Sequence, residues 1–331
     1  MFKNKYKGLL GMVVILLAVF GLYQYAAKQP PLQGNQAVTV GIILPMDHLA
    51  LREIVEGLKQ SLSLKVTYPV NIKVQNAQGD LNLQHSIIQQ LINEKVNVLV
   101  PVGTAATQMT VSMAQAQPIV SLAALYTEED KQTDKNVQIR RILDEIGPKK
   151  PLDLMKEVLP DLKKITLVYS NTEKVFPEIE ELMAYAPQKG IQVQKIMIQS
   201  LPDLYTLSHR IDGDSEAIFV LKDHLIVSGI RTVVQEAQKR KIAVVTCDEG
   251  SVQEGATFAL GVKEKSIGVL GGETVAKILE GTPIQDLPLT QMTKLSIFYN
   301  QKACEMQGVD VMRLKQLATD HQYELVNSGT L

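Results

Sequence analysis

Tryptophan is absent from this chain of 331 residues, and cysteine occurs only at Cys247 and Cys304. Two thiols outside any Cys-x-x-Cys spacing supply neither a structural zinc site nor a disulfide framework, so each reads first as a small buried hydrophobe. Their distance along the chain leaves open whether they pair. Aromatic residues make up only 5% of the sequence, which leaves few rings to stack against a flat ligand. An excess of either charge is also missing: 34 Lys and Arg stand against 35 Asp and Glu, with the basic residues scattered, which excludes the electrostatic footprint of a polyanion binder. The GxSxG, HExxH and GxxxxGK[ST] patterns are absent, and the five histidines, at 48, 85, 209, 224 and 321, show no metal-ligand spacing. Gly268, Gly271 and Gly272 do not make GxGxxG; they lie inside a helical pattern, where close helix packing is their expected role. Asp248 and Glu249 are neighbours on an extended segment and point opposite ways, so they form no acid/base pair. The expectation is a protein that is not an enzyme and carries no cofactor and no metal.

One long hydrophobic run does occur. From Gly8 to Ala27 there is no charged residue, enough to span a bilayer core of about 30 Å as a helix. Lys3, Lys5 and Lys7 precede it and hold that end inside by the positive-inside bias, while Tyr23 and Tyr25 fall at the level of an interfacial belt. A cleaved signal is the competing reading, but Tyr25 makes a poor small-x-small site, so residues 1–28 are expected to be an N-terminal transmembrane anchor. The expected location is the cytoplasmic membrane, single-pass with the N-terminus inside, and a periplasmic or extracellular body. Residues 29–37, with Pro30, Pro31 and Gly34, read as a linker.

Beyond the linker, apolar β-branched runs alternate with helical patterns. Val38 to Leu44, Val70 to Gln75, Val96 to Val102 and Ile119 to Leu122 read as strands. Leu51, Ile54, Val55, Leu58 and Leu62, then Leu83, Ile87, Ile88 and Leu91, then Ala105 to Ala114, mark helices between them. After a charged stretch from Thr127 to Lys150 that reads as irregular, the same grammar restarts with strands at Ile165 to Tyr169, Gln192 to Ile198, Ala217 to Leu221 and Ile242 to Thr246. Such alternation implies parallel sheets covered on both faces. Helix Ser266 to Leu279 and strand Lys294 to Tyr299 are left over after two complete units, which implies that the chain crosses between lobes more than once. The expected division is lobe 1 over 38–145 plus 263–292, and lobe 2 over 146–262 plus 293–331.

In open α/β sheets, ligands sit beyond the carboxyl ends of the strands. That rule selects the loops holding Asp47 and His48; Asn76 to Asp80; Gly103, Thr104, Ala105, Ala106 and Thr107; Ser170 and Asn171; Lys222, Asp223 and His224; and Asp248 to Ser251. The loop at Gly103 puts small and hydroxyl residues at a helix N-terminus, a seat for a carboxylate or merely a cap. Asp223 and Asp248 are acids at strand ends that are able to accept from a ligand ammonium or to cap a helix. Tyr126 is one of the few rings near these loops.

Asp47 to Leu51 (DHLAL), Asn76 to Asp80 (NAQGD), Val102 to Thr104 (VGT), Asp248 to Gly261 (DEGSVQEGATFALG) and Gly272 to Pro283 (GETVAKILEGTP) follow one another in order and spacing. Together they resemble the substrate-binding proteins of ABC importers, in the group associated with aromatic amino acid uptake, over roughly residues 38 to 310. The resemblance implies two Rossmann-like lobes of the type I periplasmic-binding fold, joined by a multi-strand hinge, here preceded by one N-terminal transmembrane helix. It also implies closure around one small molecule, such as an amino acid zwitterion, and delivery to a permease with a cytoplasmic ATPase. The implied cleft residues are Asp47, His48, Thr104, Ala105, Ser170, Asn171, Asp223 and Asp248, to which Thr107, Tyr126 and Ser251 are added from the loops. Leu125 to Asp130 (LYTEED) and Val137 to Leu143 (VQIRRIL) depart from the Asp-Pro pair and Thr-Gly stretch usual in the family. A membrane-anchored sensing or interaction module is the alternative role.

Overall fold

The computed structural model describes residues 38–47, 49–114, 116–172 and 175–329. Two sheets organise it. The first contains β1 (Val38–Leu44), β2 (Val70–Asn76), β3 (Val98–Pro101), β4 (Ile119–Leu122), β5 (Ile139–Leu143) and β11 (Thr290–Gln291), in the order β11-β5-β4-β3-β1-β2, all parallel. The second contains β6 (Lys164–Ser170), β7 (Gln192–Ile198), β8 (Ala217–Val220), β9 (Ala243–Thr246), β10 (Phe258–Gly261), β12 (Ser296–Tyr299) and β13 (Glu324–Asn327), in the order β13-β12-β10-β9-β8-β6-β7. Only the β10/β12 pair in it is antiparallel.

Every residue of β3, β4, β8, β9, β10 and β12 is buried, as strands with helices on both faces require. The edge strands β2 and β7 read differently. Each mixes exposed and half-buried positions and carries a lysine, Lys73 or Lys195, which discourages pairing with another chain. Complete burial of each Leu, Ile or Val in the central strands contributes about 1.5–3 kcal/mol.

The chain passes between the lobes three times: after β5, before helix Glu264–Leu279, and between β11 and β12. The multi-strand junction expected from the leftover elements is therefore present. The expected irregular stretch from Thr127 to Lys150 instead holds helix Glu128–Thr133, β5 and the start of helix Lys149–Val158. Its apolar pattern is hidden by Arg140 and Arg141, whose guanidinium groups bond to acceptors within the protein. Arg140 donates to the carbonyls of Leu287 and Gln285. Arg141 donates from Nε and Nη2 to Asp134 at 2.8 and 2.7 Å and from Nη2 to Asp130 at 3.0 Å. Cys247 and Cys304 are separate, buried thiols.

The expectation of one N-terminal transmembrane helix is corrected. Among the described residues no helix is long and apolar enough to cross a membrane. The 17-residue helix Leu49–Lys65 illustrates the reason: Arg52, Glu53, Glu56, Lys59 and Lys65 occupy it alongside its buried apolar residues. The apolar run 8–27 and the linker 29–37 lie outside the described residues. The single-pass location in the cytoplasmic membrane, and the membrane as a partner held through that helix, find no spanning helix among the described residues to support them.

Helices Leu49–Lys65 and Glu264–Leu279 lie backbone against backbone on the first sheet. A Cβ on Gly268 would fall 1.9 Å from the Ile54 carbonyl oxygen, one on Gly57 2.1 Å from that of Lys265, and one on Gly272 2.7 Å from that of Leu58. Ile54 lies against Gly268 and Ser61, two turns on, lies against Gly272, so the helices run parallel. This is the close packing that the glycines imply in sequence. Gly268→Ala is expected to lower the urea midpoint, by roughly 1–3 kcal/mol of overpacking or more. Gly213→Ala, at a position with nothing within 4 Å of the added carbon, is expected to leave it unchanged.

Candidate functional site

The carboxyl ends of strands from both sheets converge on one cleft, with an empty volume of ≈ 720 Å³ that includes its open mouth. Lobe 1 contributes Met46 after β1, Gly103 after β3 and Ala123 after β4, with Ala50, Leu51 and Ile54 from helix Leu49–Lys65. Lobe 2 contributes Lys222, His224, Val227 and Ser228 after β8, and Asp248 after β9. Asp144 and Glu264 stand at two of the crossings and complete the lining.

Apolar and charged groups divide this lining. Met46, Ala50, Leu51, Ile54, Ala123 and Val227 are aliphatic or small, and no phenylalanine or tyrosine is among the described lining residues. The charged part is a cluster of one cation and three acids. Lys222, whose side chain is four-fifths buried, donates to Asp144. Burial works against its charge, but Asp144, Glu264 and Asp248 outweigh that and hold its pKa above the ordinary lysine value. Glu264 is buried, at 6% exposure, and its Oε2 has no hydrogen-bond partner. Burial pushes its carboxyl up to about 8, Lys222 opposing and Asp248, Asp144 and Glu249 reinforcing. Asp144 and Lys222 also border a smaller hollow with Glu178 and Cys247, where burial raises the thiol well above its ordinary value.

Gly103, Lys222 and His224 line the cleft from the loops selected in sequence, and of the residues named there as cleft residues Asp248 lines it. Its carboxylate caps helix Glu249–Gln253, accepting from the Ser251 amide and the Ser251 hydroxyl, both at 2.7 Å. Asp223 faces the interior of lobe 2. It accepts from the Ser170 amide at 2.6 Å and the Ser170 hydroxyl at 2.8 Å, and caps helix His224–Ser228 through Leu225 and Ile226. Thr104 opens helix Thr104–Met113 and accepts from the Leu125 amide at 3.1 Å. Ala105 is exposed, and Thr107 is buried against the Ser121 hydroxyl at 2.8 Å. Tyr126 packs its ring over the Arg141 guanidinium, 5.2 Å from the centroid. Asp47 and Asn171 are exposed, the former paired with Arg52, and His48 lies outside the described residues.

Sequence reasoning passed over Asp144, Lys222 and Glu264. Lys222 lies in a selected loop, where its neighbour Asp223 is the acid at the strand end. Asp144 follows β5, the strand disguised by arginines, and Glu264 is flanked by Lys263 and Lys265 just ahead of the helix start expected at Ser266.

Two measurements test these assignments. Asp223→Ala removes a helix cap and both Ser170 contacts, and it is expected to lower stability by about 2 kcal/mol in urea unfolding. Glu264 makes stability depend on pH. Its carboxyl titrates near 4.5 when unfolded and near 8 when folded, so between those values the native state holds the extra proton. Stability conferred by wild type relative to Glu264→Gln is therefore expected to fall as pH rises through that window, by up to roughly 1.4 kcal/mol per unit. Parallel pH profiles for the two proteins would contradict the assignment.

Comparison with known proteins agrees with the geometry. Residues 39–321 match the family described as ABC transporter substrate binding protein. An uncharacterised protein of Rickettsia prowazekii is 38% identical over 271 residues, covering 82% of this chain and 85% of that one. A tyrosine-binding protein of Clostridioides difficile is 26% identical over 294 residues, covering 85% of each. The solved ABC domain from Streptococcus pneumonia in complex with L-Trp has a TM-score of 0.75 at 22% identity, covering 88% of this chain and all of that one, and shares its fold. With its two α/β lobes, the cleft at their strand ends and a family match over most of its length, this chain belongs to the ABC transporter substrate-binding proteins.

Proposed function

We propose that the protein closes its lobes around an amino acid with an apolar side chain and presents it to an ABC permease driven by a cytoplasmic ATPase. The observation that carries this reading is the division of the cleft lining: an aliphatic surface from Met46, Leu51, Ile54, Ala123 and Val227 beside a cluster rich in carboxylates. An apolar side chain suits the first, and an ammonium suits the second. The ligand carboxylate is assigned to the start of helix Thr104–Met113. There Gly103, at φ 83°, turns the chain so that the first-turn amides have no intrahelical acceptor and the helix dipole favours an anion.

The relatives support the same class of ligand. One is named for binding tyrosine, and a protein of the same fold was crystallised with L-Trp. Domain boundaries at 145/146, 262/263 and 292/293 fit the proposal, because each falls at or beside a crossing between the sheets. Closure about these crossings would bring Gly103 of lobe 1 towards Lys222 and Asp248 of lobe 2.

A thermal-shift panel of apolar, acidic and basic amino acids, sugars and nucleosides tests this. Apolar amino acids are expected to raise Tm, with about 2.7 kcal/mol of stabilisation at a hundredfold excess over Kd. A sugar or nucleoside that shifts Tm while every amino acid leaves it unchanged would overturn the assignment.

A further inference from the structure

We propose that Glu264 is the anchor for a protonated primary amine on the ligand, and that it makes the cleft selective for amines over otherwise identical acids. The inference rests on the amino acid reading above and assigns the residue that enforces it. It follows from the hydrogen bonds already made by the other carboxylates. Asp144 is engaged by Lys222, and both oxygens of Asp248 are taken by Ser251. Glu249 accepts from the Ser328 hydroxyl at 2.9 Å and is not among the cleft-lining residues. Glu264 alone among these acids combines a place in the cleft lining, burial and an oxygen with no partner. A buried carboxyl oxygen left unsatisfied is costly, and a ligand N–H donor removes that cost.

The position is fixed by the fold. Glu264 is the first residue of its helix, immediately after the chain leaves β10, while Gly268 and Gly272 hold that helix against lobe 1. It therefore belongs to the crossing between the lobes and is reached from either side of the cleft.

The arrangement also sets a proton balance. Glu264 is surrounded by Asp144 and Lys222 from the loops after β5 and β8, by Asp248 and Glu249 at the following helix, and by His224 in the cleft wall. Burial and these acids favour the neutral carboxyl in the empty cleft at neutral pH. An arriving ammonium favours the carboxylate instead, so Glu264 gives up its proton to solvent as the ion pair forms. Binding is then accompanied by release of about one proton at pH 7, and affinity rises with pH up to about 8.

The test uses two series of probes: L-tyrosine, tyramine and 3-(4-hydroxyphenyl)propionate, and L-leucine, 3-methylbutylamine and 4-methylpentanoate. Titration calorimetry of the wild-type protein in phosphate and in Tris at pH 7 measures the proton released. The expected result is that an amine-bearing probe binds with a heat that depends on the buffer, and that its deaminated counterpart binds at least about tenfold more weakly. Glu264→Gln is expected to weaken the amine-bearing probe by about tenfold to a hundredfold, to leave the deaminated acid unchanged and to abolish the buffer dependence. Glu264→Asp is expected to restore the proton release in part. Equal affinity of wild type and Glu264→Gln for a bound amino acid overturns the anchor while leaving the amino acid reading intact, and a buffer-independent heat in wild type overturns the proton release alone. Binding of tyramine or 3-methylbutylamine without their amino acids, lost in Glu264→Gln, supports the anchor and overturns that reading. If no amine-bearing probe binds, both fail.

Discussion

The contact between helices Leu49–Lys65 and Glu264–Leu279 sets the geometry of the cleft, because it is made by backbone rather than side chains. Gly57, Gly268 and Gly272 let carbonyl oxygens sit where a Cβ would otherwise be. Side-chain contacts can be repacked at modest cost, whereas a backbone contact of this kind tolerates no added atom. One consequence is local: the two helices act as a single rigid layer on the first sheet. Another is functional. The chain enters the second of these helices directly from β10 of the other lobe, so its first residue, Glu264, is held at the junction. The first helix likewise follows β1, and its Ala50, Leu51 and Ile54 form the aliphatic lining opposite. Both chemical characters of the cleft are thus delivered by one helix pair.

The remaining polar groups show how the same residue types serve structure and site. Asp223 and Asp248 occupy equivalent places, each after a strand of the second sheet and each capping the helix that follows. Asp223 turns inward and joins Ser170 at the end of the neighbouring β6, which ties two loops of lobe 2 into one rim. Asp248 lines the cleft while holding Ser251. A carboxylate that accepts several internal hydrogen bonds is fixed in place and is already partly satisfied without a ligand. The acids that define this rim therefore position it, and the less committed acid beside them carries the free oxygen. On the lobe 1 side, the segment from Tyr126 to Asp134 is stitched to β5 by Arg141, whose guanidinium holds Asp130 and Asp134 with the Tyr126 ring packed over it.

The architecture was legible in the sequence because its strands are buried on both faces. Runs such as Val38 to Leu44 and Ala217 to Leu221 have no other reading, and helix patterns fall between them at the spacing a parallel sheet needs. Gly268, Gly271 and Gly272 were legible because they lie inside a helical pattern and fit close packing, whereas Gly57 carried no such signal. Legibility failed where charge entered the core. Arg140 and Arg141 concealed β5, because their partners, the carbonyls of Gln285 and Leu287 and the acids Asp130 and Asp134, lie outside the strand. The short apolar stretch of β10 between glycines was likewise not marked. The rule that ligands gather at strand ends selected loops that border the cleft, and among the residues chosen from them as cleft residues Asp248 lines it. Loop position follows from topology, but the direction of a side chain follows from which amide needs a cap, and that is settled only when the helices are in place.

The cleft carries more negative charge than its one lysine can balance, and this imbalance bears on why the lobes would stay apart without a ligand. Asp144 approaches from a crossing, Lys222 and Asp248 from lobe 2, and Glu264 from the helix seated on lobe 1. Closing the lobes over these groups removes water from all of them at once, which strengthens repulsion between the acids as well as the attraction to Lys222. A neutral carboxyl at Glu264 relieves part of that repulsion but leaves an oxygen without a donor. A molecule that brings a positive charge and N–H donors to this point relieves both costs, whereas an apolar molecule of the same shape relieves neither. Closure is thereby coupled to the chemistry of the occupant rather than to its size. On the proposal made above, the aliphatic lining supplies affinity for an apolar side chain, and the charged junction selects for the amine beside it.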